Sequence, residues 1–466
     1  MNPAQCESKV SEKLETVYAR LPYTDVHEAL KRTECLSIRR RKVPAQVVVF
    51  LLVAMALCRE LSLVAIVKQA LGALPPECPG DPSSVARSTL TDCRKRLPFR
   101  AVRELVMMVA ESTCRNDCSD GGSWHGLRVQ AVDGTLFTVP DSPENRSLGV
   151  PSTGKRNAGY PKIRLLGLID THSHAVIDAR LGGYSGKGQG EMTLARQIID
   201  DIPDETVTVF DGMFVDHVLF HRIVEEGANR HFVVKVKNKT KYGILKCMGK
   251  GDYLVELSTC SQTRKRNPGL PKKLTARLII YRLAQKKNPI VLITSLVDAI
   301  NYPAVDVANL YSKRWEAEIV FKEIKIELLA ANKVLRSRLP DLIKQEVWAL
   351  LLVHNLLRSE MVNAAIKASV TPARISFKNT MMLMRYHCLA AALVQLLYGV
   401  SVPPLLLTEL PPQLLELLIL PERREGRYFP RHVKIQSTCY KKNKGGSHGR
   451  IRELNVQLAE LEAVNA

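Results

Sequence analysis

The sequence predicts an α/β protein: a mixed-sheet core with a β-rich insertion, flanked by helical N- and C-terminal regions. Three observations predict it. From about residue 127 the chain runs three strands, helix, strand, helix, strand, the order of a mixed sheet covered by helices. A Lys- and Arg-rich stretch of short strand-like runs, 238–289, then interrupts that order. Residues 1–120 and 341–466 carry helical patterns instead. The core is therefore expected over 121–237 and 290–340.

In the first region, VPAQVVVFLLVAMAL (43–57) reads as a buried helix, preceded by the basic cluster Arg39-Arg40-Arg41-Lys42. RELSLVAIVKQAL and TDCRKRLPFRAVRELVMMVAES are further helices. Pro75-Pro76 and PGDPSS separate them, with Ser83 or Ser84 as a cap. A small helical DNA-binding unit and a helical packing layer are both consistent with this pattern. In the core, LRVQAVDGTLFTV alternates, with Leu127, Val129, Ala131 and Asp133 on one face. KIRLLGLID and HAVIDARLGGY are two strands around a THSH turn, which reads as solvated. GEMTLARQIIDDI is helical, ETVTVFDGMF a strand with Val207, Val209 and Asp211 on one face, VDHVLFHRIVEEG a helix, and NRHFVVKVKNKTKY a strand. IVLITSLVD resumes a buried strand before the helix that contains YSKRWEAEIVFKEIKIELL. Long helices follow from Asp341, and the end, RREGRYFPRHVK then YKKNKGGSHGR, reads as a basic tail.

The net charge of +21 over 466 residues points to a polyanionic partner, most often nucleic acid. The 11 cysteines form no CxxC pair and fit reduced thiols rather than a disulfide framework. The run at 43–57 is too short to span a bilayer, and the polar start MNPAQCESK resembles no signal peptide. A soluble, cytoplasmic protein, away from membranes, is expected. There is no Walker loop, GxSxG or HExxH, which argues against an NTPase, an α/β-hydrolase or a zincin.

The chemistry is concentrated at three places. Val132-Asp133-Gly134 and Phe210-Asp211-Gly212 each put an Asp at the expected end of a buried strand, where it must be paired or bind a cation. On the helix that follows, Tyr311, Arg314, Glu318 and Lys325 fall within an arc of roughly 60° at about 100° per residue. Glu316, Glu323 and Glu327 lie on the other side, so the helix singles out Glu318. Carboxylate oxygens favour Mg²⁺ or Mn²⁺ over zinc. Two such ions can activate an attacking hydroxyl and stabilise the leaving oxygen in phosphoryl transfer.

YxxRWxxExxxxxxK resembles the Y-R-E-K signature of bacterial DDE transposases of the insertion-sequence-four family. AVDGTLFTVPDSPEN and VTVFDGMF are similar to the first- and second-Asp segments of that family, and ERREGRYFPRHVK to its C-terminal basic stretch. The resemblance covers the chain from the RRRKVP segment onward. It implies an RNase-H-like catalytic core with the β-rich insertion before the third carboxylate. It implies a metal-binding catalytic triad of Asp133, Asp211 and Glu318, using Mg²⁺ with Mn²⁺ able to substitute. It implies that Tyr311, Arg314 and Lys325 contact DNA. The implied reaction is metal-dependent cleavage at the element ends, then attack of the freed 3′-hydroxyl on target DNA. The implied partners are double-stranded DNA, as inverted-repeat ends and target, and a second copy of the chain in a synaptic complex. Relatives can pass through a DNA hairpin, a step left open here. The aromatic that stacks a flipped base in such relatives is often a Trp of the insertion, and Trp124, Trp315 and Trp348 all lie outside it. Tyr242 and Tyr253 are the alternatives within it.

Other residues carry weaker signals. Asp170, His172 and His174 invite a metal reading, but a turn explains them. Glu191 opens a helix, where a carboxylate favours the positive dipole end. Lys155, Arg156, Lys162, Arg164 and the TRKRNPGLPKK loop could line a DNA channel. Two other functions compete: a structure-selective nuclease on the same core, and a catalytically inert, domesticated DNA-binding protein.

Overall fold

The computed structural model describes residues 20–37, 41–79, 87–116, 122–236, 242–282, 289–384 and 409–421, with Tyr18 and Tyr398, less positions 60, 73, 76, 154–155, 158 and 331–332. The expected caps at Ser83 and Ser84 and the basic C-terminal tail lie outside the described residues.

Five strands form the centre: β1 (Leu127–Thr138), β2 (Lys162–Asp170), β3 (Val176–Gly183), β4 (Thr206–Phe210) and β5 (Arg230–Val236). They lie in the order 3-2-1-4-5. β1, β2 and β3 are antiparallel neighbours, and β4 and β5 join β1 in parallel. That order and polarity make the core RNase-H-like, as expected. Parallel strands are buried on both faces and so read as continuous apolar runs; all five residues of β4, TVTVF, are buried.

The insertion does not stand apart from this sheet. β6 (Gly243–Gly249), β7 (Asp252–Ser258) and β8 (Lys273–Tyr281) extend it through β9 (Ile290–Thr294), in the order 5-9-8-7-6. A short helix, Ser261–Arg266, and the turn after it carry the basic loop.

Five helices precede the sheet: α1 (Tyr23–Arg32), α2 (Ala45–Leu57), α3 (Leu63–Gly72), α4 (Arg87–Arg96) and α5 (Phe99–Asn116). The expected single helix across TDCRKRLPFRAVRELVMMVAES is broken at Leu97-Pro98, because proline lacks the N–H and restricts the residue before it. α2 is apolar all round and correspondingly buried all round. α6 (Glu191–Ile198) and α7 (His217–Glu225) cover one face of the sheet. α8 (Ala304–Leu310), α9 (Trp315–Lys322) and the long α10 (Pro340–Lys367) follow.

α10 is the structural axis. Several of its polar side chains are buried and paired, as buried polar groups usually are. Asn355 donates to the carbonyls of Val106 on α5 and Val176 on β3, and accepts from the Val176 N–H. Gln345 accepts from Arg94 of α4 and donates to the Leu97 carbonyl. Glu346 pairs with Arg59 at 2.8 Å. Residues of α1, α2, α5, β1–β3, α9 and α10 share one hydrophobic core.

The THSH turn is buried rather than solvated. Ser173 is fully buried and His174 is 2% exposed with φ of 62°. The buried Asp170 organises the turn, accepting from the N–H groups of His172 and Ser173, the Ser173 hydroxyl and Arg128.

Candidate active site

The site forms where two parallel strands part. β1 and β4 pair from Arg128↔Thr206 to Val132↔Phe210, and the next residues are Asp133 and Asp211. β4 ends there, but β1 runs on to Thr138, paired with β2 and, at Thr138 alone, bridged to Val334. Asp133 therefore does not end its strand, as the sequence suggested; it marks the fork. Each Asp accepts from the N–H of the glycine after it, at 2.8 Å for Asp133 and 2.6 Å for Asp211.

Both glycines answer to close approach. A Cβ on Gly212 would lie 2.9 Å from the backbone oxygen of Lys235 on β5. A Cβ on Gly134 would lie 3.0 Å from the carboxylate of Glu191, which opens α6 and is ion-paired with Arg164. Glu191 and Arg164 thus stand against the strand of Asp133. Thr135, which the sequence reading passed over, accepts from Lys325 at 2.9 Å. Its signal was strand alternation: Thr135 shares the face of Asp133.

The third carboxylate arrives on α9. Ala317, Val320, Phe321 and Ile324 recur at helical spacing and are buried. The segment is not one α-helix, as expected, but a 3₁₀ turn (Tyr311–Arg314), α9, and a π turn (Glu323–Leu328). The stripe nevertheless holds along β1. Arg314 contacts Glu318 at 3.1 Å and Asp133 at 3.8 Å. Its guanidinium also lies 4.7 Å from the Trp315 ring centroid. Two of the carboxylates off the stripe are engaged elsewhere. Glu316 meets His174 at 2.9 Å; Glu323 is buried against His354 and Arg358.

Electrostatically five of the six predicted residues, Asp133, Asp211, Tyr311, Arg314 and Glu318, form one cluster. Burial opposes the charge of Arg314, but Asp211, Glu318 and Tyr311 more than restore it, raising its pKa. Burial pushes Asp133 up to about 6; the Gly134 N–H and Arg314 pull it down, while Glu318 and Asp211 push it further up. Burial raises Tyr311 to about 12, so its hydroxyl stays protonated, with Arg314 and Asp211 acting on it in opposite senses. Lys325 is lowered by burial and by Lys162.

By donor chemistry three carboxylates fit a hard divalent cation. As the side chains stand, no three acidic, His or Cys groups among the described residues close on one ion position. Arg314 bridges two of the carboxylates instead.

The sequence profile of the family described as "Transposase DDE domain" matches residues 124–356, and that described as "Insertion element 4 transposase N-terminal" matches residues 11–107. The transposase InsG for insertion sequence element IS4 of Escherichia coli (strain K12) is 32% identical over 421 residues, 89% of this chain and 90% of that protein. The putative transposase InsZ of the same strain is 30% identical over 221 residues, 46% of this chain and 69% of that one. Among solved structures, a piggyBac transposase synaptic complex with hairpin DNA is similar at 11% identity and a TM-score of 0.38, covering 82% of this chain and 78% of that one.

Proposed function

Since the chain belongs to the DDE transposases of the insertion element 4 family, we propose that it cleaves DNA at the inverted-repeat ends of its element and joins the freed 3′-hydroxyl to target DNA. The observation that carries this is the fork of β1 and β4, where Asp133 and Asp211 face the pair made by Arg314, just before α9, and Glu318 on it. Asp133, Asp211 and Glu318 would hold the divalent cations, with Mg²⁺ as the natural ion and Mn²⁺ as a substitute. Bound there, such ions supply an activated hydroxyl and stabilise the leaving oxygen.

The remaining work falls to the chain. Arg314 and Lys325 place fixed positive charge beside the position of a scissile phosphate, and the Tyr311 hydroxyl stays protonated and able to donate. Burial of Arg314 keeps its field strong where charge develops in the transition state. The 1–120 helices are assigned to end binding and the 238–289 strands to the DNA channel. Handling two ends together calls for a dimer on DNA. Among the described residues no helix is long and apolar enough to cross a membrane.

The test is a strand-transfer assay with matched element ends, target DNA and Mg²⁺. Joined product is expected; cleavage without joining would make the protein a nuclease. Denaturing gels of the same reactions read the hairpin step. An Asp133→Ala protein should bind ends without cutting them, and cutting by that protein would sink the triad. DNA bound but never cut by the unaltered chain would favour the inert DNA-binding reading.

A further inference from the structure

Away from the carboxylates, a cavity of about 350 Å³ opens among the N-terminal helices. Its floor is apolar, with Val43, Val48 and Leu97 buried. Its rim carries three exposed guanidiniums, those of Arg41, Arg96 and Arg100, against the single carboxylate of Glu34. Arg96 donates to the Cys93 sulfur at 2.9 Å. Neither Arg41 nor Arg100 has a carboxylate partner among the described residues. Two helices also begin at this cavity. Ala45 opens the 13-residue α2 and Pro98 precedes the 18-residue α5, and neither helix has an acidic residue in its first turn. Helix starts add positive potential to that of the arginines.

We propose that this cavity receives one nucleotide of a DNA strand. Its phosphate would rest on Arg96, Arg100 and Arg41, and its sugar and base on the Val43–Val48–Leu97 floor. The planar fork of arginine matches phosphate oxygens in pairs. A bare phosphate would leave most of the space and all of the apolar floor unused, since a water takes up only about 30 Å³ of liquid. A duplex backbone running across the surface would need no such floor. The isolated Glu34 sets the selectivity, repelling ligands that carry negative charge away from the arginines. The proposal rests on the reading of the chain as a DNA-acting enzyme and adds a binding site outside its catalytic fork.

The experiment is calorimetric titration of the full-length protein, without divalent cations, by deoxyadenosine monophosphate, inorganic phosphate and deoxyadenosine. The nucleotide should bind at least about tenfold more tightly than either fragment. The Arg96→Ala/Arg100→Ala double substitution should abolish that binding and leave the melting temperature unchanged, because both side chains are exposed. A single-stranded oligodeoxynucleotide should displace the nucleotide. Equal binding of phosphate and nucleotide, no binding, binding that survives the double substitution, or failure of the oligonucleotide to compete would each overturn the proposal. The Asp133→Ala protein should bind the nucleotide normally, so failure of the catalytic reading leaves this result standing. Loss of binding in that protein would place the nucleotide at the fork and overturn the cavity assignment.

Discussion

Arg314 is only 8% exposed, and its charge persists because carboxylates surround it. Asp133 pays the opposite electrostatic penalty, raised from 3.8 to about 6 chiefly by burial. A carboxyl whose folded pKa exceeds its unfolded value weakens the fold as pH rises through that interval. Asp133→Asn keeps the acceptor for the Gly134 N–H and removes the buried charge. Without divalent cations, this variant should be more stable than the parent at pH 7.5, by about 1–3 kcal/mol. The gain should vanish below about pH 4, as thermal melts across pH would read. Its cleavage rate should fall about 100-fold or more. At Lys325 the expected effect is on DNA instead. Lys325→Ala should weaken binding to all sequences alike and reduce the slope of log affinity against log salt by about 1. A slope that does not move would show that Lys325 serves only its bond to Thr135.

Among the elements, the parting strands and the π turn set the shape of the site. Gly212→Ala would press a methyl group against a backbone oxygen of β5, which cannot swing aside. A loss of about 1–3 kcal/mol is expected in urea unfolding. Gly134→Ala meets the end of the Glu191 side chain instead, so its loss should be smaller. The π turn is anchored by Glu323. Burial pushes this carboxyl up, but Arg358 and His354 pull it down to about 2. Its stabilising share is present above the ordinary glutamate value of 4.5 and is lost as pH falls from there towards 2. Glu323→Gln would leave Arg358 buried without its counter-charge, and about 3–5 kcal/mol of stability should go with it. Urea denaturation reads this directly; a loss below that of Gly212→Ala would mean that the network is dispensable.

At the scale of the whole molecule, the N-terminal helices and the catalytic sheet share one interior, pinned through α10 by Arg59, Arg94 and Asn355. Removing residues 1–120 should therefore yield an insoluble or unfolded chain. A soluble, cooperatively melting fragment would refute that. The sequence made the layers legible, because strand alternation and helical spacing each report which face is buried. It also pointed to six residues that the structure gathers along β1 and its fork with β4, because Asp-Gly and the Y-R-E-K spacing are local patterns. It did not reveal that β1 outlasts β4, since register depends on a partner strand distant in sequence. Nor did it reveal the π turn, whose first residue, Glu323, is paired with Arg358, 35 positions away. The solvated THSH turn failed for a similar reason: Asp170 is held by Arg128, whose approach no local pattern announces.

The bridge that Arg314 makes between Asp133 and Glu318 has a consequence for how the protein waits. A guanidinium lodged among carboxylates acts as a built-in counter-ion. It keeps the negative charges from driving one another apart while nothing else neutralises them, so the fork can hold its shape with no cation bound.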